Sequence, residues 1–157
     1  MKLAARQMVA LAGFVGVCFF AAFLGARATM DAVATWYPTL AKPSWNPPAW
    51  LFGPAWTLLY LMMAVAAWLV WRRTDWSVPL LAFGVQLVLN MAWSFCFFAQ
   101  RNPLAGLLDI LLLWVAIAVT LVLFWRVDRL AGWLLVPYLS WVTFATALNF
   151  SIWRLNR

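Results

Sequence analysis

The chain has 157 residues, of which 68% are hydrophobic and only 10% charged, with 13 tryptophans and a net charge of +7. So small a polar fraction cannot cover a water-soluble globule, and the chain reads as an all-α integral membrane protein, multi-pass and embedded in a lipid bilayer. It contains no histidine and no glutamate, which excludes His-based triads and the usual metal clusters and argues against hydrolytic chemistry.

Five windows meet the ~20-residue apolar length needed to cross a bilayer, at about residues 8–28, 48–71, 78–98, 103–125 and 130–153, and they predict a single domain built as a bundle of five transmembrane helices. Lys2 and Arg6 ahead of the first run, with Ala26-Arg27-Ala28 behind it, imitate a cleavable signal peptide. A run of about twenty residues exceeds the usual 7–15-residue core of such a signal, so it is read as the first span. Ala12 with Gly16 and Ala21 with Gly25 are small pairs one turn apart, which would let another helix approach closely.

Between the first two spans lies a first loop, residues 29–47, which runs into Ala41-Lys42-Pro43-Ser44-Trp45-Asn46-Pro47-Pro48-Ala49-Trp50-Leu51-Phe52-Gly53-Pro54-Ala55-Trp56. Proline fixes φ and lacks a backbone donor, so this segment holds a bent, ordered shape in which the indoles become fixed flat surfaces. Flat surfaces suit a flat or polycyclic ligand. Ser77 before Pro79 and Asn102 before Pro103 read as N-caps with proline in the first turn. Pro54 and Pro137 fall inside predicted helices, where each removes one backbone bond and should bend its helix.

A charge of +7 in a soluble protein would raise nucleic acid as a partner, but here the basic residues lie at helix ends, facing lipid head groups, and form no continuous patch. Lys2, Arg6, Arg72, Arg73, Arg126 and Arg129 fall on the N-terminal side, against Arg27, Lys42, Arg101, Arg154 and Arg157 on the other. A six-to-five split leaves the orientation undecided under the positive-inside rule. Cys18 and Cys96 sit in apolar windows and read as buried thiols.

Gln86, Asn90, Trp93 and Phe97 follow one another at i, i+4, i+7 and i+11 and form one stripe on the third helix. Phe52, Trp56 and Tyr60 do the same on the second, and Trp141, Ala145 and Asn149 on the fifth, where the small Ala145 leaves a gap that could admit a ligand edge. Any one such stripe reads equally as core filler and amide glue between helices; three together point to a pocket. Asp109 is the lone acid well inside a span, about 9 Å along its helix. It reads either as a ligand or proton site or as a group held by hydration at the interface, a neighbouring helix or Arg101.

The run Lys42-Pro43-Ser44-Trp45-Asn46-Pro47-Pro48-Ala49-Trp50, then Gly53-Pro54-Ala55-Trp56, Asn90-Met91-Ala92-Trp93, Val136-Pro137-Tyr138-Leu139-Ser140-Trp141 and Leu148-Asn149-Phe150, closely resembles the TspO family of tryptophan-rich sensory proteins and mitochondrial translocator proteins, the peripheral-type benzodiazepine receptors. The resemblance covers nearly the whole chain. It implies a five-helix bundle, usually a homodimer, that requires no cofactor and takes porphyrins such as protoporphyrin IX or haem, sterols and benzodiazepine-type ligands between its helices under the first loop.

Carried across by motif, Trp45, Trp50, Phe52, Trp56, Tyr60, Asn90, Trp93, Trp141 and Ala145 match pocket-lining positions, and Tyr37 matches a first-loop residue that closes over the ligand. Asp109 falls where some family members carry an aspartate. Light-dependent porphyrin breakdown, proposed for the family, would place Trp56 and Trp141 as catalytic residues next to the macrocycle. Leu148, Phe150 and Arg154 have the spacing of the sterol consensus, but phenylalanine replaces its central tyrosine, which ranks tetrapyrrole above sterol. Three function classes stay open: a porphyrin-binding sensor or carrier, a photochemical enzyme, and a small transporter or structural subunit.

Overall fold

The structure, a computed structural model, describes residues 2–157, with side chains from residue 4 onward. Five long helices follow one another: α1 (Lys2–Thr35), α2 (Phe52–Thr74), α3 (Val78–Ser94), α4 (Pro103–Val127) and α5 (Arg129–Leu155). All five are long and apolar enough to cross a membrane, so the chain is an all-α, multi-pass integral membrane protein.

The spans begin and end somewhat differently from expectation. Helix α1 runs through Thr35, because nothing in Thr29–Thr35 breaks a helix; at 1.5 Å per residue it is about 50 Å long, well beyond a ~30 Å hydrocarbon core. The first loop is correspondingly shorter, a connection over residues 36–51 with single 3₁₀ turns at Tyr37–Thr39 and Ala49–Leu51. Because α2 starts at Phe52, Pro54 lies in its first turn, where the missing N–H costs nothing, and the interior position expected for it is not found. Pro137 does sit inside α5 and leaves the carbonyl one turn earlier without its helical donor.

Helix caps also divide. Asn102 accepts from the amides of Leu104 (3.1 Å) and Ala105 (3.0 Å), as its position predicts. Ser77 precedes α3 without capping it; its hydroxyl pairs instead with that of Thr74 at 2.9 Å. Asp128, a cap the sequence reading missed, accepts from the amides of Leu130 (2.9 Å) and Ala131 (3.3 Å) and from Arg73 Nε (2.7 Å).

Burial alone would raise the Asp128 carboxyl, but the Arg73 guanidinium and the two amides outweigh it and hold the group below the usual carboxylate range. A group depressed in this way stabilises the fold above its unfolded pKa and loses that contribution as pH falls through the folded value. Acid unfolding of the wild type should therefore show a loss of stability below the ordinary aspartate range that Asp128→Asn, which keeps the cap but not the ion pair, does not show. Identical acid limbs in the two proteins would refute this role for the pair.

Packing in a bilayer cannot be driven by apolarity, since lipid is as apolar as leucine. On α4 one stripe, Ile110, Leu113, Ile117, Thr120 and Phe124, is buried, while Leu108, Leu111, Leu112, Val115, Val119 and Val122 face outward, although both stripes are equally oily. What separates them is fit. Gly132 lets α5 close on Trp125: a Cβ there would lie 2.6 Å from Cε3 and 2.9 Å from Cβ of that indole. The Ala21/Gly25 pair is likewise used within the chain, since a Cβ on Gly25 would meet Ser94 Oγ of α3 at 3.1 Å.

Candidate functional site

The loop ends of the helices enclose a cavity of about 820 Å³, within the ~300–1,000 Å³ typical of small-molecule sites. Its walls come from every helix but α4. From α2 come Phe52, Trp56 and Tyr60; from α3, Asn90 and Trp93; from α5, Trp141, Ala145 and Asn149. The three stripes expected from spacing thus meet on one space, and Ala145 lies where a larger side chain would fill it. Tyr37, Asn46 and Pro47 of the loop reach the same space.

A wall the sequence reading missed is α1, which contributes Phe19, Ala22, Phe23, Gly25, Thr29, Met30 and Val33. A uniformly apolar run carries no periodic signal that separates a pocket face from a lipid face, so this wall was invisible in the sequence.

The geometry of the α3 end follows from a π-helical turn, Phe95–Ala99, closed by Gln100 N–H donating to the Phe95 carbonyl at 2.9 Å. The extra residue in such a turn re-aims the side chains beyond it. Phe97 is buried and stacked on Trp93 (centroids 5.3 Å, 23° between planes), and Phe98 meets both Trp93 (5.6 Å) and Tyr37 (5.8 Å). The π turn joins the loop to the cavity wall through rings alone.

Beneath the rings lies a buried chain of hydrogen bonds. Tyr60 OH donates to Asn90 Oδ1, Asn90 Nδ2 donates to Tyr138 OH at 2.7 Å, and Tyr138 OH donates to Gln86 Oε1 at 2.9 Å. This ties α2, α3 and α5 at the cavity floor, with Tyr138 as a fully buried hub that the spacing argument had not singled out. A second bridge runs from Trp93 Nε1 to Asn149 Oδ1 (3.0 Å) and from Asn149 Nδ2 to the Pro103 carbonyl (2.8 Å). Its geometry depends on Gly106, where a Cβ would stand 2.8 Å from Phe97 Cβ and 3.1 Å from Asn149 Oδ1. Gly106→Ala should therefore destabilise the protein by about 1–3 kcal/mol, the range for overpacking, read as a lowered unfolding midpoint in detergent; an unshifted midpoint would show that α4 moves aside freely.

The loop is tied to α5 and to itself. Asn156 accepts from Ala41 N–H (2.9 Å) and donates to the Ala41 carbonyl (2.9 Å), pinning the loop to the end of α5. Tyr37 OH donates to Asn46 Oδ1 at 3.0 Å, and Lys42 Nζ sits 4.8 Å over the Tyr37 ring. Burial raises the Tyr37 phenol above its ordinary value against the opposing pull of Asn46, so it stays a neutral donor.

Other expected site residues stand apart. Trp45 packs edge-on to Phe144 (5.7 Å) and Trp50 is 72% exposed; neither lines the cavity, because the loop turns both indoles outward. Leu148 lines it, whereas Phe150 is 44% exposed and Arg154 is exposed, since two residues along a helix turn a side chain to the opposite face. The sterol spacing is therefore not one surface. Asp109 is half-buried with Oδ2 unpaired among the described residues, and Arg101 does not hold it, pairing instead with Asp31 at 3.0 Å. Cys18 and Cys96 are free thiols.

Comparison with known proteins matches this arrangement to one family. A sequence profile described as the TspO/MBR family fits residues 14–154. The chain is 46% identical to the Tryptophan-rich protein TspO of Chlorobaculum tepidum over 96% of this chain and 98% of that one. It is 41% identical to the human Translocator protein, covering 92% of this chain and 88% of that one. To the Tryptophan-rich sensory protein of Cereibacter sphaeroides it is 41% identical, covering 87% and 89%. With a family profile over nearly its whole length and relatives this similar end to end, the chain belongs to the TspO/MBR family.

Proposed function

We propose that this protein is a membrane receptor or sensor that binds porphyrins, protoporphyrin IX or a haem-type tetrapyrrole, in the cavity between its helices and under its first loop, and acts in tetrapyrrole regulation or transport. The observation that carries this reading is a roomy cavity walled by aromatic rings from α2, α3, the π turn and α5, with no charged side chain among its lining residues. Broad ring faces suit a flat, largely apolar macrocycle. Lys42, whose ammonium stands 4.8 Å over the ring of the cavity-lining Tyr37, would supply a counter-charge for a propionate. The printed names of the relatives, sensory protein and translocator protein, support sensing or movement of a small molecule. Sterols and benzodiazepine-type compounds are further candidate occupants of the same space, and a homodimer is the proposed assembly.

Titrating the purified protein with protoporphyrin IX should quench its tryptophan fluorescence saturably, since Trp56, Trp93 and Trp141 all line the cavity. Quenching that rises linearly, as for free indole in the same detergent, would sink the reading. Trp56 and Trp141 in the wall also favour a second reading, photo-oxidation of the bound ring with these indoles as electron donors. Bound porphyrin that bleaches under illumination no faster than free porphyrin would rule that out.

A further inference from the structure

We propose that Asn156 is the latch of a gate: it holds the first loop across the cavity, and so sets how fast a porphyrin enters and leaves rather than how tightly it binds. The inference rests on the porphyrin-binding reading and goes beyond it by naming the route and the residue that controls it.

The loop of residues 36–51 is braced within itself. Tyr37 OH donates to Asn46 Oδ1 at 3.0 Å, Lys42 Nζ to the Leu40 carbonyl at 2.9 Å, Asn46 N–H to the Pro43 carbonyl at 3.0 Å, and Asn46 Nδ2 to the Pro47 carbonyl at 3.1 Å. Pro38, Pro43, Pro47 and Pro48 stiffen the segment further, since each fixes its own φ. A segment paired in this way moves as one piece, and through Tyr37, Asn46 and Pro47 that piece forms part of the cavity wall.

Against the bundle the loop is held more lightly. Rings rest on rings, Trp36 on Phe97 (5.7 Å), Tyr37 on Phe98 (5.8 Å) and Trp45 on Phe144 (5.7 Å), and such contacts lack the directionality of a hydrogen bond. Among the described residues, the only hydrogen bonds from the loop to α3, α4 or α5 are the two that Asn156 makes with the N–H and the carbonyl of Ala41, both 2.9 Å. The second amide hydrogen of Asn156 goes to the Ile152 carbonyl at 2.7 Å, which fixes the latch to the end of α5.

Such a latch opens readily. Asn156 is exposed, so water takes over both bonds when they break, and each contributes only modestly to holding the loop. Openings of this kind are drawn from the weakly held parts of a fold. Asn156 does not line the cavity, so its bonds to Ala41 are the same whether or not a ligand lies beneath. Loosening them therefore lowers the barrier to entry and to exit alike, and the ratio of the two rates, the affinity, is unchanged.

The test is stopped-flow mixing with protoporphyrin IX in detergent, followed by tryptophan quenching, with dissociation read from capture of the released porphyrin by excess phosphatidylcholine vesicles. Asn156→Ala should raise both rates about tenfold, the effect of two exposed hydrogen bonds, with Kd within about twofold of wild type. Asn156→Asp, which keeps the acceptor for the Ala41 N–H and loses the donor to its carbonyl, should fall between. Without porphyrin, amide exchange at Ala41 should speed up in Asn156→Ala, while exchange at Asn46, bonded inside the loop, should not. Unchanged rates, or faster dissociation alone with weakened affinity, overturn the gate and leave porphyrin binding standing. Faster exchange at Asn46 as well would mean that the loop melts instead of opening as one piece, which also overturns it. Failure of the wild type to bind protoporphyrin IX overturns the binding reading, and the gate with it, whatever the Ala41 amide shows.

Discussion

Ala145→Phe is expected to weaken protoporphyrin IX binding by at least ~100-fold, equivalent to about 2.7 kcal/mol. Ala145 lines the cavity between Trp141 and Asn149, one turn from each, and is the small residue that keeps the α5 wall hollow. A phenyl ring there occupies the volume a macrocycle needs, and because it projects into existing space it should leave the packed helix contacts in place. The measurements are a tryptophan-fluorescence titration and, in parallel, the thermal unfolding midpoint. Lost binding with a midpoint within a few degrees of wild type places the porphyrin in this cavity. Undiminished affinity would put the porphyrin elsewhere on the protein, whatever the fate of the fold.

The second large effect is on stability. Asn90→Ala removes the acceptor of the buried Tyr60 hydroxyl and a donor to the buried Tyr138 hydroxyl. Each group left unsatisfied in a buried site costs about 1–3 kcal/mol, so the expected destabilisation is on the order of 2–4 kcal/mol. The same substitution made in a Tyr60→Phe background should cost about 1–3 kcal/mol less, because one of the two stranded groups is already gone. Equal costs in the two backgrounds would mean that Tyr60 finds another partner and that the three-helix polar chain is not a unit.

Much of the molecule was legible in the chain because the bilayer imposes length. Apolar windows of span length, bounded by Asn102-Pro103 and by arginines at helix ends, located five helices, and only their limits moved. The family resemblance named Tyr37, and side-chain spacing located Phe52, Trp56, Tyr60, Asn90, Trp93, Trp141 and Ala145, all of which line the cavity. Trp45 and Trp50, named through the family motif, do not line the cavity, because a loop position, unlike one on a helix, carries no direction. Phe97 stays on the stripe that helical spacing gave it, whereas the π turn at Phe95–Ala99, which had no sequence signature, brings Phe98 to the same wall.

By itself the sequence determined what backbone hydrogen bonding in lipid requires: five helices, their order, and the faces on which polar and aromatic groups align. Only the tertiary structure decided which oily surface of α1 and α4 meets protein and which meets lipid, that Asn90 joins two tyrosines from separate helices, and that Trp141 is left with a donor to spare. The physical reason is that in a bilayer both environments are equally apolar, so burial follows close fit and hydrogen-bond geometry, which depend on contacts between distant parts of the chain.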